Sequence, residues 1–170
     1  MKPRIGFVRK YARELLKRHG ISGPPVDLQI LLKKEGLDYQ EVDYFPDDVD
    51  ALIIPFEGRV IAAVNQNHHI NRRRFSLAHE LCHHLLHQDR SVLEDRITID
   101  TDLIQEQFHS KDVYEAEADI FAGELLVPLP FLKKEYKKGL VTADIALIFQ
   151  VSEQVAAIAI SNHFSSLFKL

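Results

Sequence analysis

The spacing of apolar positions changes twice along the chain. Val8, Tyr11, Ala12, Leu15 and Leu16 recur at intervals of one, three and four. That rhythm predicts an amphipathic helix, and Gly20 supplies its stop. Ser22, Gly23, Pro24 and Pro25 break the chain. Asp27 then caps a short helix carrying Leu28, Leu31 and Leu32, which closes at Gly36. From Leu37 the period shortens. Residues 37–44, 51–56 and 60–64 are rich in aromatic and β-branched side chains and read as three short strands. The last two form a hairpin around Glu57, Gly58 and Arg59. Helical spacing then returns. After a polar loop at 66–71, residues 72–88 predict one helix and residues 113–127 a second, stopped by Pro128 and Pro130. Residues 91–110 are charged and weakly periodic and read as a loop with room for a helical turn. Residues 131–170 read as short helices. The sum is an α+β chain: a small three-stranded antiparallel sheet packed on helices, with a helical tail.

Composition narrows the function classes. The chain has 170 residues, 46% of them hydrophobic and 27% charged, enough to bury a core within one domain. Its net charge of −4 speaks against a general nucleic-acid binder. A single cysteine, Cys82, excludes an internal disulfide framework and a zinc site built on several thiolates. The N-terminal stretch lacks the apolar core of a signal peptide, and no run approaches the roughly 18 apolar residues of a membrane span. The expectation is a cytoplasmic protein with no membrane partner.

Histidine is over-supplied: nine in all, with His68, His69, His79, His83, His84 and His87 crowded together. Within that crowd stands His79-Glu80-Leu81-Cys82-His83, an H-E-x-x-H motif. Residues four apart lie on one helix face, so His79 and His83 can converge on one metal ion. Glu80 sits at the edge of that face, within reach of a water at the site, and is the candidate general base. No proline or glycine interrupts the surrounding helix. Random placement yields such a motif in roughly three of a hundred chains of this make-up, so the motif alone does not settle the matter.

The second long helix adds weight. A catalytic zinc site needs a third protein ligand, and Glu115-Ala116-Glu117-Ala118-Asp119 offers one. Glu115 completes the ligand set. Asp119, one turn on, accepts a hydrogen bond from the outer nitrogen of a ligand histidine and fixes its tautomer. Glu117 is the competing third ligand, but at two residues from Glu115 it leaves the helix on another side. His83 and His87 form a rival pair that lacks a glutamate beside its first member. Cys82 reads as a small packing residue, while His19 and His163 have no partner in sequence.

Two stretches, residues 74–83 and 115–128, resemble the two signatures of the ImmA/IrrE family of zinc metallopeptidases. Pro25-Val26-Asp27 and Val64-Asn65 fit the same pattern. The resemblance spans roughly residues 7–165. Two positions depart from it: the family often has glycine at Cys82 and asparagine at Asp119. The resemblance implies a zincin-like core over residues 1–130, followed by a helical segment over 131–170. It implies a zinc-dependent endopeptidase acting inside the cell on a regulatory protein such as a helix-turn-helix repressor, thereby relieving repression.

On this reading one Zn2+ per chain is held by His79, His83 and Glu115, although the donor set would also take manganese, iron or cobalt. Val60, Ala62, Val64 and Asn65 would form the edge strand on which an extended peptide docks. His68, His69, His109 and Tyr114 are candidates to stabilise the oxyanion. Residues 142–158 have helix-turn-helix rhythm, with Gln150 at the turn position often filled by glycine. Yet residues 152–162 carry no lysine or arginine, so this unit reads as a packing or partner-binding element rather than a DNA reader. Two alternatives stand beside the peptidase: a metal-containing transcriptional regulator, and a module that binds a repressor without cutting it.

Overall fold

A computed structural model describes residues 2–87 and 104–167, with side chains described for 2–87 and 113–164. The elements run α1 (Ile5–Arg18), α2 (Leu28–Lys34), β1 (Leu37–Val42), β2 (Ala51–Phe56), β3 (Arg59–Asn65), α3 (Ile70–Leu86), α4 (Ile104–Leu126), α5 (Leu129–Tyr136), α6 (Thr142–Phe149) and α7 (Glu153–Leu167). The architecture is α+β: a three-stranded sheet packed against helices.

Local chemistry accounts for most of these boundaries. The helical set in α1 faces inward, with Val8, Ala12, Leu15 and Leu16 buried. The Asp27 carboxylate accepts the Ile30 N–H at 3.0 Å and starts α2. Glu57 and Gly58 have φ of 48° and 75°. Two successive left-handed residues make the turn whose twist suits a two-residue hairpin, which joins β2 to β3. Pro128 precedes α5 and ends α4, as the sequence predicts.

The sheet corrects two expectations. It is mixed rather than antiparallel: β2 pairs antiparallel with β3, but β1 pairs parallel with it, from Leu37↔Val60 to Val42↔Asn65. The strand order is β1-β3-β2, so Val60, Ala62, Val64 and Asn65 lie on the central strand and cannot be an open docking edge. The cause is the loop over residues 43–50. It carries the chain past the position beside β1, and the hairpin then returns β3 into that gap. Asn65, fully buried, pins that loop by donating from Nδ2 to Val49 O at 3.0 Å and to Pro46 O at 3.3 Å.

One hydrophobic core joins all the layers. It includes Leu15 and Leu16 of α1, Ala62 and Val64 of β3, Leu77 and Leu81 of α3, Phe121 and Leu125 of α4, and Ile145, Phe149 and Ala156 of the tail. α4 starts at Ile104 rather than near 113. Its first nine residues contain no glycine or proline to halt propagation, although their apolar period is weak. Residues 91–103, the rest of the expected loop, lie outside the described residues. α6 and α7 are bent by 111° across a three-residue break, within the range of a helix-turn-helix pair. Gln150 supplies the turn with a left-handed φ of 53°. Arg74 of α3 reaches this turn, donating from Nε to Gln150 O at 3.0 Å and from Nη2 to Val26 O at 2.9 Å. The tail is thereby fastened to the helix that carries the H-E-x-x-H motif. Among the described residues, no single helix is long and apolar enough to cross a membrane.

Candidate metal centre

α3 and α4 pack side by side and bring the two motifs together. His79 Nε2 lies 3.1 Å from His83 Nε2 and 3.1 Å from Glu115 Oε2. His83 Nε2 lies 3.5 Å from Glu115 Oε1. A tetrahedral zinc with ligands at about 2.0–2.1 Å has ligand-to-ligand edges of about 3.3 Å. The three side chains are spaced close to such edges, the His79 and His83 contacts reaching different oxygens of Glu115. They are the one group of three metal-capable side chains among the described residues, and the cluster is able to coordinate a metal ion.

The protonation pattern suits that use. Burial, reinforced by the neighbouring His79, pushes the His83 imidazole down to about 4, so near neutrality the ring is uncharged and keeps a lone pair for a metal. His79 Nδ1 is 2.9 Å from Asp119 Oδ1. With a carboxylate as acceptor, Nδ1 carries the proton and Nε2 is left to the metal. Asp119 thus stands where its spacing from Glu115 places it. Glu80 follows His79 on α3 and is half-buried. The centre is open on its α4 side: the side chains of Glu115 and Asp119 are 51% and 62% exposed, against 17% for His79. Next to Asp119 begins a cavity of about 830 Å³, bounded by Asp50 at the start of β2, Phe75 of α3, Ile120 and Gly123 of α4, and Ile158 of α7.

The other histidines and acids fall into distinct jobs. Glu117 does turn away from Glu115; it is buried and accepts from Arg4 Nη2 at 2.7 Å, Arg4 Nε at 3.0 Å and the Arg4 backbone N–H at 2.7 Å. Those bonds hold its carboxyl down to about 2 despite burial. His87 is not a rival ligand. Its Nδ1 is 3.0 Å from His83 Nδ1 and its Nε2 is 3.1 Å from Glu117 Oε2. Cys82 is fully buried, and desolvation raises its thiol to about 12; it packs as a neutral side chain.

Three oxyanion candidates have neighbours of their own. His68 Nδ1 lies 2.7 Å from Asp50 Oδ1. His69 caps α3, its Nδ1 accepting from the Asn71 N–H at 3.2 Å. Tyr114 lays its ring edgewise on His87, 4.7 Å between centroids. The side chain of His109 lies outside the described residues.

Sequence reasoning missed the partnership of His87, Glu117 and Arg4. The repeat of four through His79, His83 and His87 was a usable signal, since it places a third ring on the same helix face. Arg4 gave none, being 113 residues from Glu117.

Comparison with known proteins agrees with this geometry. The profile of the IrrE N-terminal-like domain, Peptidase_M78, matches residues 27–161. No curated protein matches the chain in sequence. Among solved structures, a Mycobacterium tuberculosis transcriptional regulator is similar in fold, with a TM-score of 0.66 and 17% identity. The match covers 89% of this chain and 45% of the regulator, so this chain spans less than half the length of that relative.

Proposed function

The chain belongs to the Peptidase_M78 family, the IrrE N-terminal-like domain, and we propose that it is a zinc-dependent endopeptidase. Its substrate on this reading is a regulatory protein such as a helix-turn-helix repressor, cut inside the cell. The observation that carries the proposal is the cluster of His79, His83 and Glu115, with nearest contacts of 3.1–3.5 Å and a glutamate directly after its first member.

Zinc held by these three side chains supplies a Lewis acid for a peptide carbonyl and acidifies water near neutral pH. Glu80 takes one proton from the attacking water as its oxygen bonds to the carbonyl carbon. It returns that proton to the departing amine as the C–N bond breaks. Asp119 holds His79 in the tautomer that leaves Nε2 available. The open side at Glu115 and Asp119 admits the peptide, and Asp119 also lines the adjoining cavity. With β3 enclosed on both sides, an extended substrate would pair with an outer strand; β2 is the one that packs on α3.

A second reading is favoured by specific observations. The similar structure is named a transcriptional regulator, and α6–α7 has helix-turn-helix geometry. On that reading the domain binds its partner, or DNA, without cutting anything. The absence of lysine and arginine from residues 152–162 weighs against direct DNA contact. One experiment separates the two. Zinc-loaded wild type and Glu80→Gln are incubated with candidate repressors encoded beside the gene. The peptidase reading expects fragments from wild type and intact repressor from Glu80→Gln at equal zinc content. Equal binding and no fragments from either protein would favour the second reading.

A further inference from the structure

We propose that Arg4, Glu117 and His87 form a positioning chain for His83, fixing its ring with Nε2 toward the metal. The proposal rests on the metal-site reading of the centre but not on peptide cleavage.

The hydrogen-bond accounting allows one assignment. If Nε2 of His83 faces a metal, the single proton of that neutral ring sits on Nδ1. It is then donated to His87 Nδ1, 3.0 Å away. His87 must accept there, so its own proton is on Nε2, which donates to Glu117 Oε2 at 3.1 Å. Glu117 is an acceptor only, and its remaining capacity is filled by three donors of Arg4. Every link runs in the same direction, with no donor facing a donor.

The usual outer partner of a metal-bound histidine is a carboxylate or a carbonyl. Here a second imidazole intervenes, and the carboxylate lies one ring further out. Polarisation along a chain of hydrogen bonds strengthens each link, so the Glu117 charge acts on His83 through His87. Burial makes that action effective: the side chains of His87 and Glu117 are 4% and 1% exposed, out of reach of screening by salt. The Tyr114 ring packs edgewise on His87, 4.7 Å between centroids. His87 also ends α3, its backbone N–H bonded to His83 O at 3.1 Å, so backbone and side chain both tie it to the same residue.

The test is zinc affinity by chelator competition, together with the visible spectrum of the cobalt-loaded protein. His87→Phe keeps a ring against Tyr114 and removes both nitrogens, while Glu117 keeps Arg4. The expected result is zinc binding weaker by about 10–100-fold, with a shifted cobalt spectrum and unchanged helix content. A folded His87→Phe with wild-type affinity and spectrum would overturn the proposal. Glu117→Gln provides a second variant, expected to weaken binding by a smaller factor. A readout free of mutation is the nitrogen spectrum of the zinc-loaded wild type. It should show His87 protonated at Nε2, and protonation at Nδ1 would overturn the chain. Wild type that binds no zinc would defeat both this proposal and the metal-site reading. Wild type that binds zinc and cuts nothing would defeat the peptidase reading alone.

Discussion

The two histidines of the candidate metal centre are held by unlike means. His79 leans on one carboxylate, Asp119, which is 62% exposed. His83 leans on a buried chain that passes through His87 and Glu117 to Arg4. The partner of His79 therefore stands in water and the partners of His83 in the core. The difference follows from where α3 meets its neighbours. At His79 it faces the outer surface of α4, whereas two turns later, at His87, it faces the buried side of α4 and the start of α1. A cluster built this way has one face open to solvent and one backed by buried partners.

Removing a ligand should erase that contrast, and this is the largest effect expected. His79→Ala and His83→Ala should each lose stoichiometric zinc, measured by elemental analysis of the purified protein. Glu80→Gln should keep the metal yet lower cleavage by about 10²–10⁴-fold, read in a turnover assay against the same substrate. Retained zinc in His79→Ala would show that the ion lies elsewhere.

Next in size is the cost of opening the closed side. Arg4→Ala removes the two side-chain donors to a buried carboxylate, Nε and Nη2, and keeps the backbone N–H; loss of bonds to a charged acceptor costs about 2 kcal/mol. Arg4 is half-exposed, so water recovers part of that loss. A melting point clearly below that of wild type is expected. Asp119→Asn, on the open side, keeps an acceptor oxygen for His79. It should change the melting point little and weaken zinc binding by less than about tenfold. Equal destabilisation by the two substitutions would remove the distinction between the sides.

Acid should act through the closed side as well. Burial lowers His83 to about 4, and lowers His87 and His84 from their ordinary value. The unfolded chain thus takes up these protons more readily than the folded one. Stability of the metal-free protein should be fully present above the ordinary histidine pKa of about 6.5. It should fall as pH drops from there toward about 4, as followed by denaturant melts at several pH values. A metal-free protein whose stability rose across that window on acidification would contradict the burial argument.

The smallest effect concerns salt. A contribution from exposed Asp119 should shrink as ionic strength rises, and one from buried Glu117 should not. Zinc titrations of Asp119→Asn and Glu117→Gln at low and high salt would compare them.

The open side was the legible one. Its residues follow from helix periodicity inside two short stretches: His79 and His83 four apart, then Glu115 and Asp119 four apart. The helices and strands themselves were readable for the same reason, because a buried face repeats locally. The closed side was hidden because Arg4 comes from the far end of the chain, and no local pattern announces a partner there. Strand order was hidden for a related reason. A β-branched apolar run marks residues 60–64 as a strand, but the sequence does not show that β3 enters between β1 and β2, where the loop pinned by Asn65 leaves its place. The early start of α4 escaped notice because its first turns are polar, and a helix needs no apolar stripe to continue once nucleated. Gln150 adopts the left-handed turn that glycine often provides, so the helix-turn-helix rhythm survived an atypical residue.

The central claim is that His79, His83 and Glu115 together hold one zinc ion. X-ray absorption at the zinc edge of the loaded protein tests it most directly. The account predicts one zinc per chain, with two imidazole nitrogens and oxygen donors at about 2.0–2.1 Å and no sulfur. A sulfur neighbour at about 2.3 Å would point to Cys82, and a shell with fewer than two imidazoles would contradict the pairing of His79 with His83.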